Sequence, residues 1–402
     1  MKVAILLQWD LGSGETFLGS LEEVLLDRGA TVSRFTGQGP SGEDFVRHRW
    51  RKSVREADGK KITRYPYFHS HDGSTLRRLA TYGTFAARSA LSFRDLAEAD
   101  VVLAYCSPAT AVSAALLARR FSHVPYVMMV QDVWPDSIFA TGFLDTGVAR
   151  RVAEGAVNRF VNGAYRSSSA ITTLSPGMRQ LLVNRGADPR KTHVLYNWAR
   201  HEKCVTPRVR KQDEPLHLMY AGNMGTGQNL TNVLEAMSRV PQESVRLTLV
   251  GGGADVPNLK RTATAMGLSN VEFHHVVREE QMPDVLAKAD LHLVSLADQD
   301  IFKVTIPSKL QSLMAMGLPI LGVAPGEVSD IVVTTGCGIA VPPNDPTALA
   351  AAIAAACLLL PGDLADMGAN GAENYYAEMA MEIGAERLFT ILASAAHGAA
   401  LQ

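Results

Sequence analysis

Phe302-Lys303-Val304-Thr305-Ile306-Pro307-Ser308-Lys309-Leu310-Gln311-Ser312-Leu313-Met314-Ala315-Met316-Gly317-Leu318-Pro319 is the stretch that sets the fold of this chain. Pro307 suits the first position of a helix, because its missing N–H is not needed there. Ser308 and Lys309 then fall in the first turn, where free N–H groups and the helix dipole attract anions. Leu310, Leu313 and Met314 recur at spacings of three and four, so one helix face is apolar. Gly317 ends the helix, and Pro319 cannot continue it. Pro319 to Val323 is short and apolar, as a buried parallel strand is. The segment offers a helix N-terminus and an amine to a negatively charged group, with a diphosphate as the natural candidate. An ordinary α/β helix with a capping serine fits the same residues.

The surrounding chain repeats this grammar. Leu216 to Tyr220 reads as a strand, followed by Gly222-Asn223-Met224-Gly225-Thr226-Gly227-Gln228 and a helix to about Arg239. The Gly-x-x-Gly-x-Gly spacing is wrong for a dinucleotide enzyme but suits a loop whose backbone approaches phosphate or sugar. Further strands are expected at Val245–Val250, which ends in Gly251-Gly252-Gly253, at Val271–Val276, at Leu291–Ser295 and at Gly338–Val341. Helices are expected at Val256–Gly267, Glu279–Lys288 and Asp345–Leu359, with a single last helix at about Glu373–Ala395.

The first half has the same alternation. Lys2 to Gln8 is a strand, Gly12 and Gly14 make a turn, and Phe17 to Arg28 is a helix. Strand, glycine turn and helix bring backbone to phosphate in doubly wound folds; a tight turn alone also needs such glycines. The strand Tyr126–Val130 ends in Gln131-Asp132-Val133-Trp134-Pro135-Asp136. Acidic residues at the carboxyl end of a parallel strand lie where open α/β sheets bind ligands. Asp132 and Asp136 are placed to orient an acceptor hydroxyl or take its proton; Asp136 equally suits a helix start. From His201 to Glu214 the periodicity stops, as in a linker. The expected domains are residues 1–200, a linker at 201–214, residues 215–375, and a terminal helix at 376–402 returning toward the first domain. Two similar doubly wound Rossmann-like domains facing a cleft follow from this order.

At 402 residues, 47% hydrophobic and 20% charged, the composition is that of a soluble globular protein with two full cores. Four scattered cysteines contain no Cys-x-x-Cys pair, which argues against a zinc site or disulfide framework and fits a reducing cytoplasm. The start at Met1 runs straight into a strand, too short for a secretory signal. Residues 1–200 hold 26 Lys and Arg against 18 Asp and Glu, a net of +8, while residues 201–402 hold 13 against 22, a net of −9. A basic front half suits an anionic partner. Arg47, Arg49, Trp50, Arg51 and Lys52 form a basic, aromatic-bearing segment that suits an anionic bilayer surface; a solvated excursion fits equally. No nucleic-acid motif accompanies it.

Four places in this order resemble the GT-B glycosyltransferases of the GT4 type: the Gly12–Gly14 turn, Gln131 to Asp136, Tyr220-Ala221-Gly222-Asn223 with Gln228, and Pro307-Ser308-Lys309 to Gly317-x-Pro319. The chain is most similar to bacterial surface-polysaccharide and O-antigen transferases of the fucosamine-transferase sort. The resemblance implies retaining transfer of a sugar from a nucleotide diphosphate, with uridine as the family's expected base. It implies a lipid-linked or glycan acceptor such as a polyprenyl diphosphate, a place at the inner face of the membrane, and no metal. It implies Asp132 and Lys309 as catalytic. Donor contacts would come from Gly12, Gly14, Gly222, Asn223, Gly225, Gln228, Gly252, His275, Val276, Lys303, Pro307, Ser308, Lys309 and Ser312. Acceptor contacts would come from Asp132, Trp134 and Asp136. Two departures stand out. Asn223 and Gln228 replace an arginine and a lysine that many relatives carry, and Val304 and Ser312 replace two glutamates. Rival functions are transfer to a soluble secondary metabolite, a UDP-sugar 2-epimerase and a non-catalytic sugar-nucleotide-binding protein; the glycine spacings count against a nicotinamide enzyme.

Overall fold

The computed structural model describes residues 1–9, 17–38, 52–57, 60–68, 75–134, 136, 148–200, 202–211 and 214–398. The chain forms two compact units, Met1–Tyr196 with Gly384–Gln402, and Asn197–Ile383.

The first unit is built on eight strands: β1 (Lys2–Leu6), β2 (Thr31–Gly37), β3 (Ser53–Ala57), β4 (Lys60–Tyr65), β5 (Val101–Cys106), β6 (Tyr126–Val130), β7 (Ala170–Thr173) and β8 (Thr192–Val194). Their order is β3-β4-β2-β1-β5-β6-β7-β8, parallel throughout except for the β3–β4 pair. Helices α1 (Phe17–Asp27), α2 (Thr75–Leu91), α3 (Ser113–Ser122), α4 (Val148–Ser167) and α5 (Pro176–Asn184) supply the connections. Every residue of β6 is buried, and so are four of the five in β1, which is why they read as unbroken apolar runs rather than alternating ones.

Lys60 and Lys61 open β4, which lies one strand in from the edge strand β3. Lys60 Nζ lies 3.2 Å from Glu22 of α1, and Lys52 Nζ lies 2.7 Å from Asp95. Arg47, Arg49, Trp50 and Arg51 lie outside the described residues. Glu22 also receives Arg34 of β2 through two bonds, Nε to Oε1 at 2.6 Å and Nη2 to Oε2 at 2.5 Å. Arg34 is 2% exposed and Glu22 is fully buried, so each charge depends on the other.

The second unit carries β9 (Leu216–Asn223), β10 (Val245–Gly252), β11 (Val271–His274), β12 (Leu291–Ser295), β13 (Ile320–Val323) and β14 (Gly338–Val341). The order is β11-β10-β9-β12-β13-β14, all parallel. The chain reverses its direction of travel across the sheet between β9 and β12, and ligands of open α/β sheets sit at such a switch point. Its helices are α6 (Leu230–Met237), α7 (Val256–Ala265), α8 (Met282–Leu286), α9 (Asp300–Lys303), α10 (Ser308–Met316), α11 (Glu327–Thr335), α12 (Pro346–Cys357) and α13 (Pro361–Glu378), while α14 (Met381–His397) starts here and belongs from Gly384 onward to the first unit. Leu216, Leu218 and Tyr220 of β9 join Leu247, Leu249, Leu291 and Leu293 in one buried core.

Several expectations change in detail. The single last helix is two, α13 and α14, separated at Met379-Ala380. Glu202 tethers the start of the second: its Oε1 accepts from Met381 N at 2.7 Å and from the Tyr375 hydroxyl at 2.6 Å. Helix α11 was not foreseen. Glu279 to Lys288 is a short 3-10 turn followed by α8 rather than one helix. Pro307 is the extended residue that precedes α10, not its first turn.

Removing Arg34 leaves the buried Glu22 carboxylate with Lys60 as its one cationic contact among the described residues. Arg34→Met is therefore expected to cost about 3–5 kcal/mol, seen as an earlier urea transition. Adding Glu22→Leu should recover part of the loss, because the buried carboxylate is then gone while Lys60 loses its partner; equal stability of wild type and Arg34→Met would show that the pair carries nothing.

Candidate functional site

A cavity of about 500 Å3 opens in the second unit at the carboxyl ends of β9 and β12 and the start of α10. Of the residues singled out from sequence, Gly222, Asn223, Gln228, Pro307, Ser308, Lys309 and Ser312 all line it. They come from two separate segments, the end of β9 with its loop and the start of α10, brought together by the switch in strand order.

Lys309 is the centre of this site. Its Nζ sits 3.1 Å from the centroid of the Tyr220 ring, a cation–π contact. Although part of the side chain reaches solvent, its amine is enclosed by protein, and this desolvation holds its pKa well below the usual lysine value. No carboxylate among the described residues pairs with it. Pro307 leaves the start of α10 without a side-chain cap, so first-turn N–H groups are directed to the same region.

The loops around the amine need glycine. Gly222 has φ +138°, and a Cβ there would lie 3.3 Å from Lys309 Cε. Gly251 pairs with Gly222 across β9 and β10, and its Cβ would lie 2.0 Å from the Gly222 carbonyl oxygen. Tyr220 is fixed in turn: its hydroxyl donates to the Asn223 carbonyl at 2.5 Å. Gln228 accepts the Gly225 N–H at 2.9 Å and so holds the loop shut. Gly225 does not line the cavity; it shapes the turn.

A smaller cavity of about 310 Å3 lies beyond the end of β10, where Gly252, His275 and Val276 meet Lys260. Lys303 stands apart from both cavities: it is exposed and bonded to Asp300 at 2.7 Å, which raises its pKa.

Comparison with known proteins places this architecture. Residues 12–198 match the family "Glycosyl transferase 4-like domain", and residues 215–357 match "Glycosyl transferases group 1". A protein described as "Probable glycosyltransferase WbjE" of Pseudomonas aeruginosa is 30% identical over 281 residues, 67% of this chain and 68% of its own. The chain belongs to the GT-B glycosyltransferases. A protein described as "Putative colanic acid biosynthesis glycosyl transferase WcaI" of Escherichia coli strain K12 is 27% identical over 368 residues, 85% of this chain and 88% of its own. Among solved structures, Anabaena HepE in complex with UDP-glucose superimposes with a TM-score of 0.68 at 18% identity, covering 98% of this chain and 100% of that one. Sucrose-phosphate synthase from Thermosynechococcus elongatus gives 0.72 at 17% identity, covering 99% and 100%.

In the first unit of this glycosyltransferase, Asp132 is exposed just past β6 and accepts the Ser107 hydroxyl at 2.6 Å. Trp134 is buried edge-on against Tyr82, their centroids 5.3 Å apart. Asp136 is held by Arg185 through bonds of 2.5 and 2.9 Å, so its carboxylate is already engaged. Gly12 and Gly14 lie outside the described residues. Among the described residues no group of three or more His, Cys, Asp or Glu is placed to hold a metal.

Sequence reasoning missed Arg200 and Glu279, which also line the larger cavity. It missed the Tyr220 ring as the surface on which the lysine rests. Arg200 and Glu279 have no short-range signal: Arg200 follows a strand of the other unit, and Glu279, expected only as a helix start, opens a 3-10 turn.

The contrast between the two lysines is measurable. An amine labels only when neutral, so Lys309 should react with an amine-directed reagent at distinctly lower pH than Lys303. Peptide mapping across a pH series reads both; coincident curves would show that Lys309 is not desolvated.

Proposed function

We propose that this protein is a retaining glycosyltransferase that moves a sugar from a UDP-sugar to a lipid-linked or glycan acceptor in surface-polysaccharide biosynthesis. The observation that carries the reading is the enclosed, acid-free amine of Lys309 beside the uncapped start of α10. As the bond from the sugar carbon to the diphosphate breaks, negative charge gathers on the leaving phosphate. Fixed donors that meet this charge stabilise the transition state more than the ground state. The acceptor oxygen takes the same face of the sugar and passes its proton to the departing phosphate oxygen, so configuration is kept. Asp132, exposed at the end of β6, would orient that hydroxyl.

The uridine base is supported by HepE, whose solved complex holds UDP-glucose, and the polysaccharide setting by the assignment of WcaI. A polyprenyl diphosphate-linked acceptor at the cytoplasmic face of the membrane suits the basic front half of the sequence. No single helix among the described residues is long and apolar enough to cross a membrane.

The test is a panel of UDP-sugars incubated with and without membrane extract, with the anomeric configuration of any product read by NMR. Sugar transferred to a lipid fraction with retention supports the proposal. An altered sugar nucleotide formed without acceptor would make the protein an epimerase, and donor binding without turnover would make it a binding protein. Lys309→Met removes a charge-assisted contact of about 1.5–3 kcal/mol, so donor affinity or kcat/KM should fall roughly 10- to 150-fold. Unchanged values would remove Lys309 from the site.

A further inference from the structure

We propose that Leu91, Phe93, Arg94, Arg120 and Phe121 form a surface that seats the first unit on an anionic lipid bilayer. This rests on the reading of a lipid-linked acceptor and gives the membrane a place to meet the protein. A single apolar residue at a protein surface needs no explanation, whereas a cluster does. Leu91, the last residue of α2, is 79% exposed, and Phe121, near the end of α3, is 62% exposed. Phe93 joins them. It opens the short 3-10 turn Phe93–Leu96, two residues after Leu91, and its ring centroid lies 5.5 Å from that of Phe121.

The charge around these rings is mostly positive. The guanidinium carbon of Arg94 lies 5.8 Å from the Phe93 centroid, and that of Arg120 lies 5.6 Å from the Phe121 centroid, so each ring carries a cation on its face. Arg88 is exposed one helical turn before Leu91, and Arg119 is exposed beside Arg120. Among the described residues no carboxylate pairs with any of these four arginines. Two acids nearby are already engaged. Asp95 holds Lys52 at 2.7 Å and the Tyr65 hydroxyl at 3.1 Å, and Asp100 accepts the Lys2 N–H at 2.7 Å. Glu98 remains as an exposed acid, one against four. Arg119 and Arg120 also suit the carboxyl end of α3, where the helix dipole favours cations. The exposed Phe121 next to them gains nothing from that dipole.

A bilayer meets both parts of this surface. The apolar tips enter the boundary between headgroups and acyl chains, while the guanidinium forks bond lipid phosphates and their alkyl stems lie along the apolar layer. A protein partner would need acids in fixed places, whereas an anionic leaflet supplies phosphate at any register. The longer-range charge agrees: residues 1–200 carry a net +8 and residues 201–402 a net −9, so a negative surface draws the front half. The surface lies toward the amino ends of β5 and β6, into which α2 and α3 lead, whereas Asp132 follows the carboxyl end of β6. Across the five residues of β6, about 17 Å, the hydroxyl addressed by Asp132 stands clear of the lipid phosphate, as on a glycan already extended from its carrier.

Co-sedimentation of the full-length protein with vesicles tests this. The protein should pellet with vesicles of phosphatidylglycerol mixed into phosphatidylcholine, stay in solution with phosphatidylcholine alone, and lose binding as salt rises. Leu91→Ser with Phe121→Ser should weaken partitioning about tenfold or more. Arg94→Gln with Arg120→Gln should weaken it roughly fivefold per charge. All four side chains are exposed, so both double variants should keep the melting temperature and the calorimetric affinity for UDP. Equal partitioning of wild type and both double variants would overturn the inference. So would failure of wild type to bind anionic vesicles while it still binds UDP, which leaves the sugar-nucleotide reading intact. A concentration-dependent dimer that Phe121→Ser abolishes, without vesicle binding, would assign the surface to a second copy of the chain and overturn the inference too. Vesicle binding that depends on these residues while no nucleoside diphosphate binds would uphold the surface and remove the sugar-nucleotide reading instead.

Discussion

An amine pressed on a phenol ring, with no acid beside it, is the constraint around which the second unit is arranged. Lys309 is kept from water, and an unpaired ammonium in such a place is costly unless a ligand brings the missing charge. The protein meets part of that cost with the Tyr220 π-face 3.1 Å away. The remainder is left open, so an arriving diphosphate gains more than it would from a solvated surface lysine such as Lys303. The neighbouring glycines serve the same end. Without Gly222 the side chain could not cross the loop, and without Gly251 the two loops could not press together.

How far this was legible in the sequence depends on the range of the interactions. Pro307, Ser308, Lys309 and Gly317 mark a helix by local rules, and α10 begins and ends within a residue of expectation. All six strands of the second unit form where the sequence placed them, β13 as an unbroken apolar run and β11 as an alternating one. The β3–β4 pair was hidden because the edge strand β3 carries Arg55 and Glu56 on exposed positions and so looks like a loop. Helix α11 was missed because Gly326 precedes it without a capping side chain, and its apolar positions form too short a series to stand out.

The candidate site divides along the same line. Residues on one loop or one helix start were foreseen, and seven of them share one cavity. What escaped is what depends on packing between distant segments. The Tyr220 ring faces Lys309 only because β9 and α10 meet. Glu279 faces the cavity only because its turn folds back beside β12. In the first unit, the partner of Asp136 is Arg185, 49 residues away, and no spacing rule announces such a bond. A sequence motif thus locates the chemistry, while the non-local contacts decide which carboxylates are free to take part in it.

The charge of the chain sharpens this point. Residues 201–402 carry a net −9, yet the cavity built mainly from them presents Lys309, the adjoining Arg200 and an uncapped helix start, with Glu279 as the acid among its described lining residues. At physiological ionic strength the Debye length is about 8 Å, so the acidic surroundings act on an approaching anion only near the surface. Inside the cavity the low dielectric strengthens the few groups that line it. A polyanion of any kind therefore meets repulsion over most of this half of the sequence and attraction at one slot. That arrangement disfavours loose phosphate binding and makes affinity depend on fit. It places the burden of recognition on short-range contacts: an amine held by an aromatic ring and the peptide N–H groups at the start of α10.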